Sequence, residues 1–114
     1  MTVKELLKKS QRDGTAVLAT NFYNLETLTA VVRSAKIVGA PVLLQLTRSS
    51  IDYMGLKQAV SMGRRAIEDN GLQGWIHLDH GGSVELVERC LDAGFDSVMI
   101  DASESRIGYQ RVDA

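Results

Sequence analysis

Apolar positions along this chain fall into four short, nearly continuous runs, separated by longer stretches in which they recur every three or four residues. The runs are Ala16-Val17-Leu18-Ala19-Thr20, Val42-Leu43-Leu44-Gln45-Leu46, Trp75-Ile76-His77-Leu78-Asp79 and Ser97-Val98-Met99-Ile100-Asp101. Each has the length and composition of a buried strand. Between the first two, Leu25, Leu28, Val31, Val32, Ala35 and Val38 form a helical stripe that opens at Asn24 and ends at Gly39, with Pro41 leading into the next run. Leu56, Ala59, Val60, Ala66 and Ile67 mark a second helix stopping near Gly71. Val84, Val87, Cys90 and Leu91 mark a third, capped by Ser83 and closed by Gly94. A short opening helix starts on a Thr2–Glu5 capping box, carries Leu6 and Leu7, and ends near Gly14.

Buried strands alternating with amphipathic helices predict parallel pairing through right-handed crossovers. Two architectures satisfy that pattern, an open doubly wound sheet and a (β/α)8 barrel. The turn after the first strand, Thr20-Asn21-Phe22-Tyr23-Asn24, contains no glycine, which disfavours a dinucleotide fold. Polar residues gather instead at the C-terminal ends of the strands: Asn21, Thr47, Asp79 with His80, and Asp101. In a barrel that end is the catalytic face. The expected fold is therefore α/β, the N-terminal half of a (β/α)8 barrel. About four β/α units, preceded by a short helix, occupy residues 1–104, and residues 105–114 form an irregular tail. A full barrel takes about 250 residues. In a half barrel, an inner face built from Val17, Leu43, Leu44, Ile76 and Val98 would lack its opposite wall, and two strand edges would lie unpaired. Such edges invite association, so a homo-oligomer, a further subunit or poor solubility is expected.

Composition narrows the class further. Of the 114 residues, 45% are hydrophobic and 24% charged, and the formal net charge is -1. Neither nucleic acid nor an anionic membrane is favoured as a partner by such a balance. No apolar run approaches the roughly 20 residues that span a bilayer. The start, Met1-Thr2-Val3-Lys4-Glu5, lacks the apolar core of a signal peptide. The single cysteine, Cys90, sits among apolar neighbours at helical spacing, as a buried inert thiol would in a reducing, cytoplasmic setting. Lys8, Lys9, Arg64 and Arg65 are expected to be solvated helix-face charges.

Candidate chemistry concentrates in His77-Leu78-Asp79-His80-Gly81-Gly82. An aspartate beside a histidine at a strand end offers a carboxylate for proton transfer and an imidazole for a metal. The glycine pair is expected to let the backbone turn sharply and leave room for a ligand. An Asp–His pair is equally what a hydrogen-bonded loop contains, so the pair alone decides nothing. His77 shares strand parity with Asp79, so both should face the barrel interior, where His77 is expected to be a hydrogen-bonded structural residue.

These residues carry a resemblance. The stretch from Trp75 to Gly81, followed by Ala93-Gly94-Phe95-Asp96-Ser97-Val98-Met99-Ile100-Asp101-Ala102-Ser103, closely resembles the class II ketose-bisphosphate aldolases. Upstream, Asn21-Phe22, Asn24-Leu25-Glu26-Thr27, Ala40-Pro41-Val42, Gln45-Leu46-Thr47 and Tyr53-Met54-Gly55-Leu56 fit the opening units of the same family in the same order. The short connection between Asp79 and Asp101 is similar to that of the tagatose-bisphosphate branch. The resemblance implies a zinc-dependent, reversible aldol cleavage of a ketose bisphosphate, fructose- or tagatose-1,6-bisphosphate, to dihydroxyacetone phosphate and an aldehyde. By the same resemblance, Asp79 matches the catalytic aspartate and His80 the first of three zinc-binding histidines. Asp101 matches a carboxylate that supports the metal or its surroundings. Thr47 stands where a substrate-contacting serine is usual, Asn21 matches an asparagine near the bound triose phosphate, and Glu104 is a weaker candidate.

Elementary chemistry agrees with the metal route. Breaking a carbon–carbon bond next to a carbonyl leaves an enediolate, which either a Lewis acid or a lysine Schiff base can stabilise. The four strands close with Thr20, Leu46, Asp79 and Asp101, none of them a lysine. The chain departs from the family in holding only two histidines, His77 and His80, whereas a catalytic zinc site normally takes three protein ligands. The other two histidine ligands and the main phosphate loop of the family lie in the second half of its barrel, and the tail Arg106–Ala114 leaves the family pattern. The alternative expectation is accordingly a catalytically inactive remnant, or an auxiliary subunit that binds a phosphorylated ketose or triose phosphate.

Overall fold

The computed structural model describes residues 1–103. Helix α1 (Val3–Asp13) is followed by β1 (Leu18–Asn21), α2 (Leu25–Val38), β2 (Val42–Leu46), α3 (Arg48–Met54), α4 (Leu56–Asp69), β3 (Gly74–Gly81), α5 (Val84–Asp92) and β4 (Ser97–Ile100). The four strands form one parallel sheet in the order β1-β2-β3-β4. The expected half barrel of β/α units behind a short helix is thus what the described residues form. The expected tail and Glu104 lie outside them.

Local signals set the helix boundaries. Thr2 and Glu5 make the reciprocal capping box at α1, and Asn24 accepts from the Thr27 backbone at 2.8 Å to open α2. Ser83 accepts from the Leu86 backbone at 3.1 Å to open α5. Gly39 takes the left-handed conformation at the end of α2, with φ 68°. Two departures concern helices. The stretch from Thr47 to Gly71 holds two helices rather than one, because Gly55 breaks the chain at φ 93°. In α5 the inward residues are Leu86, Val87 and Cys90, whereas Val84 and Leu91 are exposed. The buried stripe centres on Leu86 and Cys90, which leaves Val84 and Leu91 at its margin beside Val87.

Two apolar clusters lie on opposite faces of the sheet. The larger packs α2, α3, α4 and α5 onto the outer face, and buries Phe22, Leu28, Leu44, Leu46, Ile51, Ile76 and Leu78 completely or nearly so. The smaller lies on the inner face, where Leu6 of α1 meets Leu43 and Trp75, with Val3 and Val17 alongside. Trp75 Nε1 also donates to the Met1 carbonyl at 2.9 Å, which ties the start of the chain across this face. The expected inner face is corrected accordingly: Leu44 and Ile76 belong to the helix-covered side, and Val98 packs against that same cluster. Adjacent strand residues point in opposite directions, so Leu43 and Leu44 cannot share a face. The first strand begins at Leu18 rather than Ala16 and is not buried, with Leu18 61% exposed. As an edge strand it has a neighbour on one side only.

Arg64 also departs from expectation. Its guanidinium donates to Asp96 Oδ2 at 2.7 Å and to the Gly94 carbonyl at 2.6 Å, while the same Asp96 oxygen accepts from the Ile76 backbone at 2.8 Å. A half-buried cation thereby joins α4 to the start of β4 and to β3. Cys90 is buried as expected, and burial raises its thiol above the ordinary value. No helix among the described residues is long and apolar enough to cross a membrane.

Pairing of β3 with β4 is irregular: His77 faces Ser97 and Leu78 faces Val98, but Gly81 faces Ile100. Three steps along β3 thus match two along β4, a bulge that isolates Asp79 and His80 from regular pairing. Gly81 makes it possible, since a Cβ there would lie 2.8 Å from both the Met99 carbonyl and Val87 Cγ2. Gly82 has open space around it. Gly81→Ala should therefore lower stability by about 1–3 kcal/mol through overpacking, and Gly82→Ala should change it little. Urea unfolding of the two variants checks this, and equal effects would contradict the assignment.

Candidate active site at the C-terminal edge of the sheet

Parallel strands bring their C-terminal ends to one edge, and all the described candidates lie on it. Asn21 is the last residue of β1, Thr47 follows β2, Asp79 and His80 lie near the end of β3, and Asp101 follows β4. Asn21 Nδ2 donates to Asp79 Oδ2 at 3.2 Å. Asp79 Oδ1 stands 3.5 Å from His80 Nε2, and His80 Nδ1 is 2.8 Å from Asp101 Oδ2. Asn21, Asp79, His80 and Asp101 thus form one continuous polar row across the sheet. Thr47 shares the edge but turns its hydroxyl to the start of α3, where it accepts from the Ser50 backbone at 3.3 Å and lies within 3.1 Å of the Ser49 and Ser50 hydroxyls.

His80 owes its aim to the backbone. Its φ of 58° is the one positive value at a non-glycine among the described residues. That conformation costs a non-glycine residue on the order of 1 kcal/mol and persists where surrounding structure imposes it. Here the bulge does so, and it throws the imidazole onto the rim, where 62% of the side chain is exposed. The sharp turn expected of the glycine pair is therefore made by His80, and Gly81 serves close packing.

Electrostatics separate the two histidines. His77 lies lower on the inner face with Nδ1 2.6 Å from Ser97 Oγ, the hydrogen-bonded structural position expected of it. Burial pushes its pKa below the ordinary 6.5, and the Asp79 charge opposes this only in part. Asp101 is held at about 2 by hydrogen bonds from the Ser103 and His80 side chains and from the Ser103 backbone N–H, the last at 2.8 Å. Both of its oxygens are engaged, one by His80 and one by Ser103. A carboxylate on Nδ1 makes that nitrogen the donor and turns Nε2 toward Asp79.

One member of the constellation has no role in the sequence-based assignment. Gln45 Nε2 donates to Asn21 Oδ1 at 3.0 Å. Its strand parity was the available signal: a lone polar residue within an apolar strand, two positions from Leu43 and so on the inner face.

Residues 1–109 match the family model described as fructose-bisphosphate aldolase class-II. The chain is 39% identical over 100 residues to a fructose-bisphosphate aldolase of Helicobacter pylori, an alignment covering 87% of this chain and 33% of that protein. It is 40% identical over 106 residues to the one from Geobacillus stearothermophilus, covering 90% of this chain and 37% of that protein. Among solved structures, a putative fructose-1,6-bisphosphate aldolase from Coccidioides immitis superposes with a TM-score of 0.79 at 30% identity, covering 89% of this chain and 36% of that one. The YdjI aldolase of Escherichia coli K12 shares the fold with a TM-score of 0.83 at 21% identity, over 91% of this chain and 41% of that one. The chain belongs to the class II fructose-bisphosphate aldolase family and has the fold of part of its barrel. It spans little more than a third of the length of these relatives.

Two titrations check the electrostatics. A histidine whose folded pKa is depressed binds its proton more readily when unfolded, so its contribution to stability falls as pH drops from 6.5 through the folded value. The His77 ring signal should titrate below 6.5 by NMR, and lower still in Asp79→Asn, which removes the opposing charge. The Asp101 carboxyl signal should titrate near 2, with its stabilising effect present above the ordinary carboxylate value and lost as pH falls through about 2. A midpoint for His77 above 6.5 would contradict the assigned environment.

Proposed function

We propose that this chain carries the proton-transfer residue and the first metal ligand of a class II aldolase site, which cleaves a ketose bisphosphate reversibly to dihydroxyacetone phosphate and an aldehyde. The observation that carries this is the row Asn21–Asp79–His80–Asp101, in which a carboxylate and an imidazole converge to 3.5 Å on the rim. Asp79 moves a proton to or from the oxygen of the aldehyde fragment. Its Oδ2 is anchored by Asn21, and its Oδ1 is the oxygen on the His80 side of the rim. Asn21 and Thr47 are substrate-binding residues, with the Thr47 hydroxyl able to turn from its capping position toward a bound phosphorylated triose.

Zinc fits the donor set in part. The His80 imidazole, with a carboxylate on Nδ1, has the outer support usual for a metal-binding histidine, and Asp101 fills that supporting place. Among the described residues no group of three or more His, Cys, Asp or Glu is placed to hold a metal ion. In this proposal the remaining ligands come from residues outside the described row. When bound, zinc supplies the Lewis acidity that stabilises an enediolate. Sugar-phosphate metabolism in the cytoplasm is the setting such a site serves.

Elemental analysis after dialysis and a fructose-1,6-bisphosphate cleavage assay test the assignment together. His80→Ala should lose bound zinc. Asp79→Ala should keep it while turnover falls by roughly 10²- to 10⁴-fold, the usual weight of a general acid–base group. Zinc retained at the wild-type level by His80→Ala would sink the proposal, as would undiminished cleavage by Asp79→Ala.

A further inference from the structure

Gln45 stands on β2 directly opposite Asn21 of β1, on the inner face of the sheet. It donates to Asn21 Oδ1 at 3.0 Å, and Asn21 donates to Asp79 Oδ2 at 3.2 Å. The direction of both bonds follows from the last acceptor. A carboxylate only accepts, so Asn21 must turn its NH2 toward Asp79, which leaves its carbonyl facing β2. Gln45 presents a donor to that carbonyl from the neighbouring strand. We propose that Gln45 is a positioning residue that acts through Asn21, fixing which way the Asn21 amide faces and so holding the Asp79 carboxylate in place beside His80. Its importance for catalysis rests on the role proposed above for Asp79; the relay itself does not.

Gln45 lies two positions beyond Leu43 on the same face, past the inner apolar cluster of Leu6, Leu43 and Trp75. An amide free to rotate would present its carbonyl to Asp79 for part of the time, and the carboxylate would lose its anchor. Residue 45 thus governs Asp79 through Asn21, without a bond between the two.

A double-variant cycle tests this. In Gln45→Glu a same-shaped side chain can only accept, so Asn21 has one NH2 to offer to two carboxylates and its carbonyl is left without a donor. The folding equilibrium constant should fall by roughly fivefold, the usual weight of one hydrogen bond. The Asp79 carboxyl carbon signal should shift as well, although no hydrogen bond joins residues 45 and 79. Adding Asp79→Asn provides a donor at the other end. The relay can then run in reverse, from the amide introduced at position 79, through Asn21, to the carboxylate introduced at position 45. The double variant should therefore regain most of the lost stability. If Gln45→Glu folds poorly, Gln45→Met, uncharged and of similar length, reports on the same Asp79 signal. Additive effects in the cycle, or an Asp79 signal unmoved by changes at position 45, would overturn the relay. Failure of the catalytic role of Asp79 is read separately, by cleavage in Asp79→Ala.

Discussion

Asn21, Gln45 and His77 stand side by side on three neighbouring strands because β1, β2 and β3 pair in parallel register, Asn21 opposite Gln45 and Gln45 opposite His77. That ladder decides what the site can be. Side chains alternate between faces along each strand. The same register that sends Val42, Leu44, Leu46, Ile76 and Leu78 into the helix-covered core therefore sends Gln45, His77 and Asp79 to the inner face. Sliding one strand by one residue would exchange the two sets, burying an aspartate and exposing leucines. The large apolar core on the outer face thus holds the polar row on the inner face in place.

The end of β3 is where the ladder is broken. One extra residue against β4 leaves Asp79 and His80 outside regular pairing and drives His80 into a conformation that a non-glycine residue rarely adopts. The strain is balanced by the Asp101 N–H bond to the Gly81 carbonyl at 3.0 Å and by the Asp101 carboxylate on the His80 ring. Further down the same strands, Asp96 and Arg64 secure the start of β4 against β3. The bulge is therefore confined to the rim, where it aims one imidazole, and does not spread into the core.

Much of this was legible in the residues, and the failures have a common cause. Thr2 with Glu5, Asn24 and Ser83 cap helices through bonds to residues three positions away, so their roles follow from local chemistry. The β/α alternation and the gathering of Asn21, Asp79, His80 and Asp101 at one edge follow from the order of elements. The continuous run Val42-Leu43-Leu44 does not reveal which residue faces which side, because both faces of a covered parallel strand are apolar. Helix α3 was hidden because its seven residues carry one fully buried large apolar side chain, Ile51, too few to show a period. The His80 conformation, the Arg64 tie and the Gln45–Asn21 bond depend on partners more than 20 residues away. Spacing along the chain could not disclose them.

His80, oriented by Asp101, is the proposed metal ligand of the rim through Nε2, and His77 the proposed structural histidine below it. Long-range proton–nitrogen NMR of the two imidazoles during zinc titration separates these roles. His80 Nε2 should shift to a metal-bound position, Nδ1 should keep its proton, and both His77 nitrogens should stay where they were. Coordination by His77, or zinc binding that leaves both rings unmoved, would contradict the proposal.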